Sequence, residues 1–134
     1  MRYLLDTSVY SQALRRNPIQ AALRRWQGIG DALCAVSRVS VSEVEWGLHY
    51  EDKPQLWKKF DALLKNRLTV LPVSDSVWAL FAVMKARQQK LGEPVSDPDL
   101  LIAAAAKERG LTVATLNRQD FSRIEGLAWE NWSL

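Results

Sequence analysis

Four apolar runs, each only a few residues long, punctuate this sequence at wide intervals: Tyr3-Leu4-Leu5, Leu33 to Val36, Leu68 to Val73 and Leu111 to Thr115. Runs this short suit strands buried on both faces. The stretches between them carry helical spacing and are long enough to cross back over a sheet, so the strands are expected to pair in parallel. The expected fold class is therefore α/β, with a central parallel sheet of four to five short strands and helices on both faces. No repeat, low-complexity tract or Pro/Gly-rich linker divides the chain, so residues 1–134 are read as a single domain.

The helices announce themselves by their ends. One is expected over about residues 7–15, and a second after Asn17, as N-cap, with Pro18 at the first helical position. Ser40 reads as the opening of a third, with Glu43 three residues later in capping-box spacing. Pro54 to Leu64 has Leu56, Phe60, Leu63 and Leu64 near one face. Asp75 to Leu91 is the longest, with Val77, Leu80, Phe81 and Met84 at helical spacing and Gly92 closing it. Pro98 to Arg109 is almost continuous in Leu, Ile and Ala, which places it centrally against the sheet. Gly110 ends it, and a short turn is expected over Gln119 to Arg123. Of the six tryptophans, Trp78 is assigned to the core, as are Trp129 and Trp132, which alternatively pack the C-terminal edge or a partner.

Composition removes several classes of function. The chain has 48% apolar and 25% charged residues, the balance of a soluble globular protein. No apolar run approaches the ~20 residues that span a bilayer. The opening Met1 to Asp6 places an acid where a signal peptide would continue its apolar stretch, so no export signal is expected. Cys34 is the only cysteine, which permits neither an internal disulfide nor a cysteine-rich zinc site and fits the cytoplasm. His49 is the only histidine and has no ligand or triad partner at suitable spacing, so it is read as a surface residue late in its helix. Phosphate-binding and dinucleotide-binding glycine motifs are missing. The net charge of +3 is mild, but residues 1–30 hold Arg2, Arg15, Arg16, Arg24 and Arg25 against Asp6 alone. That asymmetry permits nucleic acid and does not demand it.

Acids remain, and four occupy telling places. Asp6 directly follows the first strand, Glu43 lies early in the helix after the second, Asp120 follows the fourth, and Asp99 opens the apolar helix. A parallel sheet gathers strand-to-helix junctions along one edge, where ligands bind. Taken singly, each acid has a structural explanation. Glu43 completes a capping box, Asp99 favours its helix dipole, and Asp120 begins a helix. Asp6 resists this, because an acid ending a buried strand is costly without a partner. Jointly they ask for a cation, since two carboxylates at about 5 Å repel by roughly 3 kcal/mol at an effective dielectric near 20. Hard oxygen ligands of this kind suit Mg²⁺ or Mn²⁺.

In this order the motifs resemble a known family. Leu4-Leu5-Asp6-Thr7-Ser8 resembles the opening strand of PIN-domain ribonucleases. Val39 to Gly47, with Glu43 four residues before the glycine, resembles their second motif. Asp97-Pro98-Asp99-Leu100-Leu101-Ile102-Ala103-Ala104 is similar to the third. Thr115 to Phe121, followed by Ile124-Glu125-Gly126-Leu127, is similar to the fourth. The nearest branch is the VapC-type toxin of bacterial toxin–antitoxin pairs. The resemblance implies a PIN-like three-layer sandwich and a homodimer. It also implies a Mg²⁺- or Mn²⁺-dependent endoribonuclease that hydrolyses RNA, tRNA among the candidates, with metal-activated water, and that a cognate antitoxin inhibits. Carried over by position, Asp6, Glu43, Asp99 and Asp120 form the acidic quartet, Asp6 and Asp99 being the first choices as direct ligands. Thr7, Ser8, Thr115 and Asn117 are the supporting polar groups. Asp97 is an additional acid, explained as the N-cap of its helix. Two other functions compete. A catalytically idle PIN-like RNA-binding module would be expected to have lost quartet acids, and all four are present. Another metal-dependent phosphohydrolase, of the haloacid-dehalogenase type, would want an Asp where Ser8 stands.

Overall fold

The computed structural model describes the whole chain, residues 1–134. In chain order it runs β1 (Tyr3–Leu5), α1 (Thr7–Tyr10), α2 (Gln20–Ile29), β2 (Cys34–Ser37), α3 (Arg38–Glu51), α4 (Pro54–Leu63), β3 (Thr69–Leu71), α5 (Asp75–Lys90), α6 (Asp97–Arg109), β4 (Thr112–Thr115), α7 (Arg118–Ser122) and β5 (Trp129–Asn131). Single 3₁₀ turns at Ser11–Leu14 and Asp31–Leu33 fill two connections. All pairings are parallel, in the order β3-β2-β1-β4-β5. The chain builds outward from β1 to β3 on one side, then crosses to β4 on the other. The order therefore reverses between β1 and β4, and the carboxyl ends of those two strands flank a crevice. No helix is long and apolar enough to cross a membrane.

Strand alternation divides the core between the two faces of the sheet. Leu4, Ala35, Leu71 and Val113 point to one face, under α5 and α6. Tyr3, Leu5, Cys34, Val36 and Ala114 point to the other, where α1, α2, α3 and α4 supply Val9, Trp26, Val44 and Phe60. The expected three layers are present. Every residue of α6 from Leu100 to Ala106 is buried, and its alanines permit close approach to the sheet. Trp132, fully buried, closes the C-terminal edge, its ring 5.4 Å edge-to-face from Tyr3. Trp129 is half-buried.

Some local expectations need correction. Trp78 is 49% exposed rather than in the core. It sits one residue, about 100°, off the buried stripe of Val77, Met84 and Gln88 on α5. Leu63 likewise lies outside the buried face of α4. Asn17 and Pro18 precede α2 instead of capping it; the free amide of Ile19 is taken by Gln12 Oε1 at 2.9 Å. The expected helix over 7–15 divides into α1 and a 3₁₀ turn. Ser37, not Ser40, caps α3, its Oγ accepting from Val39 N at 3.1 Å. The chain passes from β2 straight into that helix with no loop, so the helix begins earlier than the capping-box pattern suggested. Asp97 lies inside the first turn of α6, after the N-cap Ser96, and pairs with Lys85 at 3.0 Å.

Candidate active site

Asp6 is the centre of the crevice between β1 and β4. It is 2% exposed and also serves as N-cap of α1. Its Oδ1 accepts from Ser8 Oγ at 2.6 Å and from Val9 N at 3.0 Å, and its Oδ2 accepts from Thr115 Oγ1 at 2.6 Å. Burial raises its carboxyl above the usual carboxylate range, against these hydrogen bonds, which favour ionisation. The two hydroxyls belong to a wider lattice. Ser8 Oγ accepts from Leu116 N at 3.0 Å, and Thr115 Oγ1 accepts from Asn117 N at 2.7 Å. The ends of β1 and β4 are thus stitched together around one carboxylate, whose orientation is fixed before any ligand arrives.

Asp99 arrives from the start of α6 and Asp120 from α7. Asn117 lies between them, its Nδ2 donating to Asp120 Oδ2 at 3.1 Å and to Asp99 Oδ2 at 3.4 Å. The Asp99 carboxyl is pushed up to about 7, first by burial, then by a hydrogen bond with Asp120 and by the charges of Asp6 and Asp120. Three of the four sequence-identified acids therefore feel one another.

Glu43 stands apart from that trio. It is exposed, and its Oε1 accepts from Thr7 Oγ1 at 2.5 Å; the same hydroxyl is 2.9 Å from Ser40 Oγ. With Ser37 as cap, Glu43 lies in the second turn of α3 and cannot reach back to an N-cap amide. The capping-box explanation fails, and the residue following Asp6 holds this acid instead. Thr7 and Glu43 together line two open grooves of about 650 and 670 Å³, with Trp46 bordering both. Asp97 is turned away to Lys85 and does not join.

Thr7, Ser8, Thr115 and Asn117 all make the polar contacts around the acids. Ser40 joins them through the Thr7 hydroxyl, and it was not identified from sequence as a site residue. Ser40 was legible in principle, since it lies one helical turn before Glu43. No three His, Cys, Asp or Glu side chains form a ready-made coordination cage. Asp99 and Asp120 are bridged by Asn117 beside Asp6, with Glu43 linked through Thr7.

The PIN domain profile matches residues 3–127. This chain belongs to the PIN domain family. Relatives extend the likeness over nearly the whole chain. The chain is 30% identical to Ribonuclease VapC2 of Haemophilus influenzae over 98% of each sequence. It is 26% identical to the tRNA(fMet)-specific endonuclease VapC of Shigella flexneri over 99% of each. Among solved structures it resembles VapBC2 from Rickettsia felis bound to a promoter DNA fragment, with a TM-score of 0.86, 26% identity and coverage of 98% and 99%. It also resembles VapBC-5 of Mycobacterium tuberculosis, described as a member of the VapBC family of toxin-antitoxin systems, at a TM-score of 0.67, 26% identity and coverage of 96% and 95%.

Proposed function

We propose that this PIN domain is a VapC-type endoribonuclease, the toxin of a toxin–antitoxin pair, dependent on Mg²⁺ or Mn²⁺. The observation that carries this reading is the gathering of Asp6, Asp99 and Asp120 at the crevice where the strand order reverses, with Thr115 bonded to Asp6 and Asn117 bonded to both Asp99 and Asp120. Acids that a fold had gathered only to begin helices would have no reason to disturb one another. The names of the full-length relatives, ribonucleases and VapBC assemblies, point the same way.

The donor set fits a hard divalent cation. Asp6, Asp99 and Asp120 offer carboxylate oxygens, with Glu43 on the neighbouring helix, and Asn117 can turn an amide oxygen toward the same space. A closed cage of protein ligands is not required, because Mg²⁺ keeps several waters and is usually held by one or two carboxylates plus substrate phosphate. When bound, such an ion neutralises phosphate charge and lowers the pKa of a coordinated water. The chain's own part is positional. Ser8, Thr115 and Val9 N fix both oxygens of Asp6. Asn117 holds Asp99 and Asp120 side by side. Burial and the neighbouring Asp120 and Asp6 raise the Asp99 carboxyl, so a cation held beside it would favour its ionised form.

The test is purified protein, free of any partner, incubated with total RNA in chelator and in Mg²⁺ or Mn²⁺, with the new ends mapped. The parent cuts only with metal, while Asp6→Asn and Asp99→Asn fold but do not cut. Cleavage by either variant at the parent's rate, with contaminating nuclease excluded, overturns the assignment.

A further inference from the structure

Trp46 and Tyr50 contribute little to the core. They are 68% and 75% exposed, yet their rings lie parallel, with centroids 5.4 Å apart and 10° between planes. Four residues apart on α3, they occupy the same helix face, and Trp46 follows Glu43 by three residues on that face. Trp46 borders both grooves that begin at Thr7 and Glu43, and Tyr50 lies in the larger one. That larger groove also contains Arg15 and Arg16, both exposed and neither in an ion pair. Arg38, in the other groove, is committed to Glu45 at 2.7 Å. A polyanion drawn across a cluster of carboxylates needs cations for its flanking phosphates. In the grooves that reach Glu43, the free ones are Arg15 and Arg16.

We propose that the Trp46–Tyr50 stack is a platform for an unpaired base of single-stranded RNA, with Arg15 and Arg16 meeting the adjacent phosphates. The proposal rests on the nuclease reading and names the subsite that holds the strand beside Glu43. A base inside a duplex has both faces covered by its neighbours, whereas an unpaired base can exchange water for an aromatic face. The guanidinium pair supplies charge complementarity that an apolar patch alone would lack.

The experiment is fluorescence anisotropy of a short, unstructured, labelled oligoribonucleotide titrated with the protein in chelator, where nothing is cut, over a series of salt concentrations. Trp46→Ala is expected to weaken binding about 5- to 150-fold, the range for stacking one base on an aromatic side chain, with the salt dependence unchanged. Trp46→Phe should retain most of the affinity. Arg15→Gln with Arg16→Gln should weaken binding and make the slope of log affinity against log salt shallower by about 1.4, as for two lost phosphate contacts on a single strand. The fully paired duplex of the same sequence should not respond to Trp46→Ala. If the parent binds and Trp46→Ala binds as well as it does, the platform is overturned, while metal-dependent cleavage by the parent keeps the nuclease reading. If Trp46→Ala spares RNA binding but loses capture of the protein encoded by the neighbouring reading frame, the face is a protein-docking site and the RNA proposal fails. A parent that neither binds the strand nor cuts RNA with metal overturns both.

Discussion

At the scale of single residues, the raised carboxyls are statements about stability as well as about chemistry. Asp99 titrates around 7 in the folded chain and near 3.8 as a free carboxyl, so between those values the folded state binds the extra proton. Its contribution to stability is fully present below about 3.8 and is lost as pH rises through about 7. Asp6, also raised, acts in the same direction. In chelator, the melting temperature of the parent minus that of Asp99→Asn should therefore fall as pH is taken from about 4 to 7. A difference that stays flat across that window would show that the Asp99 carboxyl is not raised. The same residues mark how far the site could be read from sequence. Asp6 stood out because a carboxylate directly after a buried strand has no cheap solution. Asp99 and Asp120 were legible as helix-start acids, but their proximity depends on where α6 and α7 land, which no local pattern encodes. Glu43 was most open to misreading, because Ser40 at its capping-box distance supplied a false explanation that only the earlier start of α3 removes.

At the scale of elements, strand positions and most helix termini followed from apolar runs and from Pro and Gly. The helices ending at Gly92 and Gly110 finish as those residues predict, with Gly110 in the left-handed conformation that glycine tolerates best. Errors fell where a tertiary contact replaced the local signal. Gln12 caps the approach to α2 from another segment, and Ser37 is at once the last residue of β2 and the cap of α3. β5 was the strand without a strong signal, since Trp129–Asn131 has only intermediate burial and makes an edge. Ser37→Ala removes the cap and should cost about 1 kcal/mol in denaturant unfolding. Its lesion should appear in stability and leave the Asp6 network intact. If Ser37→Ala is neutral while Ser40→Ala alone costs this much, α3 starts where the sequence pattern put it and not where the structure does.

At the scale of the molecule, one feature organises everything: the strand order reverses between β1 and β4, and the acids collect at that reversal. A site so exposed in charge needs a control. The reading as a toxin predicts that expression alone arrests growth, and that co-expression of the small protein encoded beside it restores growth, most simply by placing a basic side chain among the carboxylates. Harmless expression of folded, metal-competent protein would favour a nuclease outside any toxin–antitoxin pair. The central claim, that Asp6, Asp99 and Asp120 form one cation site with Glu43 alongside, is tested most directly by thermal melts of the parent and Asp99→Asn in chelator and in Mg²⁺ or Mn²⁺. In chelator at neutral pH, Asp99→Asn should melt at the parent's temperature or higher, since it removes a repelled charge. Metal at a hundredfold excess over its dissociation constant should stabilise the parent by about 2.7 kcal/mol and the variant much less. Four unrelated helix-start acids give the opposite result: Asp99→Asn destabilised by roughly 0.3–1 kcal/mol in chelator, with the parent's full response to metal.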